Sequence, residues 1–278
     1  SAASDVYKRQ FIMSSLSGSL IYGNGESRKV WDTTKDYIGF TTWGCNAAYR
    51  DCKVDELVAI DYGIQQEIYE SGYACENFCW FADWITLEDF EPEFLKMNYP
   101  PELIFETEKT NTNVCVTQGK EPMDAEKNYQ RMIKEFPHLD KEDVKNKCYK
   151  NVGLYITWLK EHDRVRTIEY PNGWCAGATA MHLACEQGEK DIYMLGFDLS
   201  SYDEPLNNMY KGTNNYLPEN AKGFNADNWV MQLVHTFQKF PDTQFYWVDD
   251  YSKENKLQVK NIKTISYKEL DNICQGRV

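Results

Sequence analysis

Residues 175–198 read CAGATAMHLACEQGEKDIYMLGFD, and their pattern decides the fold. Small residues fill a helical stretch over 175–187, and Gly188 stands where a helix ends on a left-handed residue. A strand follows at once: Asp191-Ile-Tyr-Met-Leu195 shows no alternation of polar and apolar positions and closes at Gly196-Phe197-Asp198. Such a run is buried on both faces, the mark of a parallel strand covered by helices.

The same unit recurs on either side. Leu20–Tyr22 feeds Gly23-Asn24-Gly25, Tyr37–Trp43 (YIGFTTW) is β-branched and aromatic and ends at Gly44-Cys45-Asn46, and Glu56–Ile60 closes at Asp61. Residues 62–71 carry Ile64, Ile68 and Tyr69 at helical spacing with Gly72 just beyond, 227–239 form a last helix, and Gln244–Val248 a last strand. The middle is less regular. Leu103–Phe105, Val114–Val116 and Thr167–Tyr170 read as short strands, and Pro171–Trp174 as a turn. Residues 122–148 are charge-rich and loosely helical with a break at Pro137, read either as an insertion or as a solvated helical face. The expectation is an α/β fold: one Rossmann-like domain over residues 13–278, with a mostly parallel central sheet, helices on both faces and a lid-like segment at about 200–226. Residues 1–12 lack the apolar core of a signal peptide and are read as a non-native or disordered leader ahead of Met13.

A net charge of −13 argues against a nucleic-acid partner, because phosphate backbones are held by clustered Lys and Arg. A small anion stays open, since backbone amides and a helix N-terminus hold phosphate without net positive charge. The nine cysteines form no regular framework, which fits reduced thiols and a cytoplasmic setting. Cys75 and Cys79 have no second pair at zinc spacing, so no metal site is expected. No apolar run approaches the roughly 20 residues of a membrane span.

In parallel sheets ligands bind beyond the carboxyl ends of the strands, and polar or small residues sit at several of these ends: Gly23-Asn24-Gly25, Cys45-Asn46, Asp61, Gly173–Gly177 and Asp198. The Gly-Asn-Gly turn admits two readings. A dinucleotide fingerprint would carry a third glycine at position 28, where Arg28 stands, and no lysine follows at phosphate-loop spacing. A tight turn would use the tolerance of Gly and Asn for positive φ. A nucleotide cradle would use the absence of side chains.

The order GNGESRKVWD, WGCNAAYRDCKVDELVAID and GWCAGATAMHLACEQGEKDIYMLGFDLSSYD resembles the family-42 bacterial sialyltransferases and related phage and archaeal Rossmann-like proteins. The resemblance covers most of residues 19–250, with the middle poorly matched. It implies a protein that binds a nucleotide-activated sugar of the CMP type and, with no metal or other cofactor, transfers the sugar to a carbohydrate acceptor hydroxyl. In the Gly-Asn-Gly-x-Ser turn it implies that Gly23, Gly25 and Ser27 admit the nucleotide, while Asn24 and Asn46 face its ribose and phosphate. It puts Asp61 near the donor sugar, Ala176 where the family has a base-contacting Ser, Gly177 on the family glycine and Asp198 on the strand-end Asp. Residues 200–216 match the lid, where Tyr202, Tyr210 and Tyr216 would hold the departing phosphate, aided by Lys211. The chain departs from the family at its general-base His, since the corresponding stretch reads Gly223-Phe-Asn-Ala-Asp227. Asp227, or Asp203, is then the expected base.

Two other readings stay open. An Asn- and Tyr-rich lid also suits a non-catalytic accessory protein that holds a nucleotide, a sugar or a protein partner. Gly173-Trp174-Cys175-Ala176-Gly177 fits the cysteine form of a nucleophile elbow, a thiol hydrolase with His235 and Asp249 or Asp250 as partners and a thiol activated by the helix N-terminus.

Overall fold

The computed structural model of the chain describes residues 17–82, 104–107, 112–116, 122–149, 156–157, 164–168, 175–199, 204–250, 257 and 259–276. Its strands are β1 (Gly18–Tyr22), β2 (Phe40–Cys45), β3 (Glu56–Ala59), β4 (Phe78–Ala82), β5 (Ile104–Thr107), β6 (Thr112–Val116), β7 (Ile156–Thr157), β8 (Val165–Ile168), β9 (Asp191–Leu195), β10 (Gln244–Val248) and β11 (Ile262–Ile265). The helices are α1 (Tyr62–Glu70), α2 (Tyr73–Glu76), α3 (Pro122–Glu135), α4 (Lys141–Tyr149), α5 (Ala176–Glu186), α6 (Asp227–Lys239) and α7 (Tyr267–Cys274).

Eight strands form an all-parallel sheet in the order β11-β10-β9-β1-β2-β3-β4-β8, while β5, β6 and β7 pair antiparallel in a second sheet. From β1 the chain steps outward through β2, β3 and β4 to β8, then returns to the other side of β1 with β9, β10 and β11. Leu20 therefore lies between Thr42 of β2 and Tyr193 of β9. The direction of winding reverses between β1 and β9. This is the switch point at which loops diverge to opposite faces and leave a crevice at the carboxyl ends of the strands.

The unbroken apolar runs follow from burial on both faces. Leu20, Tyr22, Leu57, Phe81 and Leu195 point to one face, under Ile64 and Ile68 of α1 and Leu270 of α7. Ile21, Trp43, Val58, Met194 and Phe245 point to the other, under Met181 of α5 and Leu233 and Phe237 of α6. Each such side chain contributes about 1.5–3 kcal/mol, and a slip of one residue would exchange the two sets, so the register is fixed. The alanines of α5, all buried, let that helix lie across β1, β2 and β3.

Some boundaries differ from the sequence expectation for physical reasons. β2 begins at Phe40 rather than Tyr37, because Tyr37 stacks on Trp31 (5.1 Å) and Gly39 turns the chain at φ 88°. The 122–148 segment is two helices parted around Pro137, and Asp140 caps the second by accepting from the amides of Glu142 and Asp143. β4, β11 and α7 were not expected from the sequence.

Candidate functional site

At the end of β1 the two glycines serve space rather than conformation. Gly25 has φ −68° and Gly23 is not among the left-handed glycines, so any residue could adopt their backbone. A Cβ on Gly23, however, would lie 2.6 Å from the carbonyl oxygen of Gly196, and one on Gly25 would lie 2.5 Å from the carboxyl carbon of Asp198. The amides of both are spent on the sheet: Gly23 donates to Leu195 O (2.8 Å) and Gly25 to Gly196 O (2.9 Å). The positive-φ turn is thus corrected, and the cradle does not offer these two amides to a ligand. The glycines bring the end of β1 against the end of β9. Asp198 locks the joint by accepting from the Ser27 amide (2.8 Å) and hydroxyl.

Arg28, where a dinucleotide fold has glycine, explains the departure. Its side chain is 1% exposed, donating to Gly23 O and to the Tyr210 hydroxyl (2.8 Å each), and Tyr210 donates in turn to Asp51 (2.5 Å). Burial opposes its charge, but Cys52, Tyr210 and Asp51 hold the guanidinium protonated above its ordinary range. This clamp anchors residues 204–226, a loop closed at its base by the pairing of Pro205 with Lys222. Met209 N donates to Asn24 O (2.8 Å), and Asn207 Oδ1 accepts from Glu26 N (2.8 Å). On the far side Arg50 donates to Thr213 (2.7 Å) and forms a forked pair with Glu67, which also accepts from Asn215 (2.7 Å).

Under this lid, at the switch point, lies a cleft of about 400 Å³. Asn24, Asn46, Asp61, Asn207, Asn208, Asn215 and Tyr216 supply its polar lining, Cys175–Gly177 at the start of α5 its back, and Phe197, Leu206, Phe224 and Trp229 an apolar end. The described lining contains no Lys or Arg. Gly177 lets the helix meet the Phe197 ring, which a Cβ would approach to 2.7 Å. Tyr216 Oη accepts from Asn24 Nδ2 and from Ala47 N (3.2 Å each), so the phenol's own proton is left to donate. Burial pushes its pKa up and keeps that proton in place. Asn24 Oδ1 is buried with no partner among the described residues.

Asn46 and Asp61 each depart from what their local structure prefers. Asn46 has φ 51°, its Oδ1 accepts from Ile60 N (3.3 Å), and its Nδ2 donates to Asp61 Oδ2 (3.0 Å). Asp61 occupies the N-cap of α1 yet makes no capping bond, although a capping Asp is worth about 1 kcal/mol. Its surface opens to the cleft, but the walls around the carboxylate raise its pKa by desolvation, and the Asn46 amide only partly offsets this. Among the described residues the non-glycine positions with left-handed φ are Asn46, Leu199 (47°) and Asn215 (65°), and all three line the cleft. Backbone strain of this kind collects at functional sites.

The site expected from the sequence is therefore partly assembled. Gly23, Asn24, Gly25, Asn46, Asp61, Ala176, Gly177, Asp198 and Tyr216 all line the cleft. Tyr210 does not: its hydroxyl is buried in the Arg28 clamp, a correction to its expected phosphate-holding role. Lys211 is also corrected, because its ammonium is tied to Leu206 O and Glu26 (3.2 Å each) away from the lining. Ser27 acts on Asp198, not on the cavity. Asp227 is exposed at the start of α6, bonded to Asn225 (3.0 Å) and outside the lining, which removes it as the expected base. Tyr202, Asp203 and residues 169–174 lie outside the described residues. Cys175 caps α5 through Ala178 N (3.4 Å), but burial pushes its thiol up, opposite to an activated nucleophile, and His235 is exposed on α6. Phe224 and Trp229, in edge contact at 5.9 Å, were missed, though a Gly-Phe-Asn stretch just ahead of a helix placed them at the lid's end.

Fold and site together define an α/β protein with a doubly wound parallel sheet and a lidded polar cleft at its switch point. No protein-family model matches the chain, and no curated protein or solved structure matches it. Among the described residues no group of three or more His, Cys, Asp or Glu is arranged to hold a metal ion, and no helix is long and apolar enough to cross a membrane.

Proposed function

We propose that the cleft binds a nucleotide-activated sugar and that the protein transfers the sugar to an acceptor hydroxyl. The observation that carries this reading is convergence: amides from the ends of β1 and β2, a carboxylate from β3, the N-terminus of α5 and lid asparagines meet at one switch point. Asn side chains pair with ribose and sugar hydroxyls as donor and acceptor together. Phe224 and Trp229 offer apolar ring surface to a sugar or base face.

The charge balance narrows the donor. With no lining cation among the described residues, the positive end of α5 and the Tyr216 proton are the groups available to a phosphate. They suit a donor with one phosphate better than a diphosphate, in agreement with the CMP type that the family resemblance implies. As the bond to the sugar breaks, the same two groups stabilise the departing phosphate. Titration calorimetry with CMP, UMP, GMP and AMP tests the reading. CMP is expected to bind most tightly, and Asn46→Gly, which keeps the left-handed backbone but removes the amide, is expected to weaken it at least tenfold. Equal affinity for all four, or none, refutes it.

A further inference from the structure

Of the expected catalytic groups, Asp227 and Tyr210 are outside the cleft and Tyr202 and Asp203 lie outside the described residues, so among the described residues the proton of the acceptor hydroxyl lacks its expected recipient. Among the described residues, the carboxylates that line the cavity are Asp61 and Asp198. Asp198 is engaged through both oxygens by Ser27. Asp61 is held through Oδ2 alone, and Oδ1 has no partner among the described residues. No cation pairs with it there. The fold also forgoes stability to keep it so: Asn46 takes a left-handed backbone, and Asp61 leaves the first turn of α1 uncapped. A side chain serving α1 would turn back to its amides, whereas this one turns to Asn46 across the strand ends.

Resting on the nucleotide-sugar reading, we propose that Asp61, oriented by Asn46, is the general base of the transfer. The acceptor oxygen bonds to the anomeric carbon of the donor as its O–H breaks, and the proton passes to Asp61. The bond from that carbon to the phosphate oxygen breaks, its electron pair leaving with the phosphate. Water in place of the acceptor gives hydrolysis by the same movement of atoms. The titratable groups that sense the Asp61 charge are the Cys175 thiol at the start of α5 and the Tyr216 phenol of the lid, both raised by burial first and by Asp61 in part. Both stay protonated through the working range, so of these three groups the Asp61 carboxylate is the one that titrates. Desolvation puts that titration above the ordinary Asp value.

The test compares wild type with Asp61→Asn, using calorimetry with CMP and release of CMP from a CMP-activated sialic acid as a function of pH. The wild-type rate is expected to fall on the acid side as the base becomes protonated. Asp61→Asn is expected to bind CMP within about threefold, to release it at least about 100-fold more slowly, the range for a lost general base, and to lack the acid limb. Turnover within about threefold of wild type, or an acid limb that survives in Asp61→Asn and disappears in Asp227→Asn, overturns the assignment while the nucleotide-sugar reading stands. Failure of the wild-type protein to bind CMP or consume the donor overturns both. Asp61→Glu, which keeps a displaced carboxylate, is expected to retain the acid limb at a reduced rate, a pattern that loss of folding does not produce.

Discussion

Replacing Arg28 by Met should unfasten the lid from the sheet. The guanidinium makes two buried charge-assisted bonds, to Gly23 O and Tyr210 Oη. Methionine fills most of the space and leaves the Gly23 carbonyl without that donor, at a cost of about 1–3 kcal/mol. Loss of the bond to Tyr210 adds about 1.5–3 kcal/mol. Against this stands the relief of burying a cation whose nearest carboxylate, Asp51, is 3.9 Å away and 44% exposed, a weak ion pair that does not offset desolvation alone. The net loss is about 3 kcal/mol, or a fall in Tm of about 6–12 °C at 2–4 °C per kcal/mol. Arg28→Lys should not rescue it, because one ammonium cannot span both acceptors as the planar fork does. Thermal unfolding gives the first number, and hydrogen exchange of the Met209 and Gly212 amides the second, since these should lose protection before the sheet. A Tm within about 2 °C of wild type, with lid protection unchanged, would show that Arg28 only fills space.

Three further outcomes follow from particular contacts. Gly25→Ala adds a Cβ 2.5 Å from the Asp198 carboxyl carbon in a backbone that alanine accepts freely, so its cost in urea unfolding, about 1–3 kcal/mol, is steric alone. Gly188→Ala meets nothing within 4 Å but sits at φ 97°, and should cost about 1 kcal/mol for conformation alone. Burial opposes ionisation of Glu67, but bonds from Tyr49, Arg50 and Asn215 outweigh it and hold its pKa below the ordinary value. Its contribution is therefore present above the unfolded value of about 4.3 and is lost as pH falls through the lower folded value. In Glu67→Gln the acid-dependent loss of lid protection, followed by hydrogen exchange, should flatten in that window.

The sheet was legible because its strands carry their own evidence. Gln244–Val248 and the helix at 227–239 stand where the sequence reading has them, since a run buried on both faces and a strong 3.6-residue period admit few alternatives. β4 was hidden because FCWFA lies among the cysteines of CENFC and no turn signal separates it from α2. α7 did carry a signal, the capping box of Ser266 and Glu269, legible only when an S-x-x-E spacing is sought ahead of Leu270. The site was legible by position and illegible by direction. That asparagines and glycines sit at strand ends can be read from order alone. Which of Tyr210 and Tyr216 turns its hydroxyl to the cleft depends on Arg28, 182 residues earlier in the chain than Tyr210, and no local pattern carries such a contact.

The raised pKa of Asp61 gives the stability–function argument its sign. Between the unfolded value of about 3.9 and the higher folded one, the native state binds more protons than the unfolded state, so stability falls as pH rises through that window. The ionised carboxylate is thus a net cost at neutral pH, which Asp61→Asn removes while keeping the shape and the hydrogen bond to Asn46 through its amide oxygen. The variant should melt above wild type at pH 7, and the difference should shrink to nothing below about pH 3.9. A residue retained for packing or capping would give the opposite result, a loss at every pH. A gain in Tm at neutral pH together with the loss of turnover would mark a carboxylate kept against stability for its chemistry, and a fall in Tm at pH 7 would refute the desolvated Asp61 on which that argument stands.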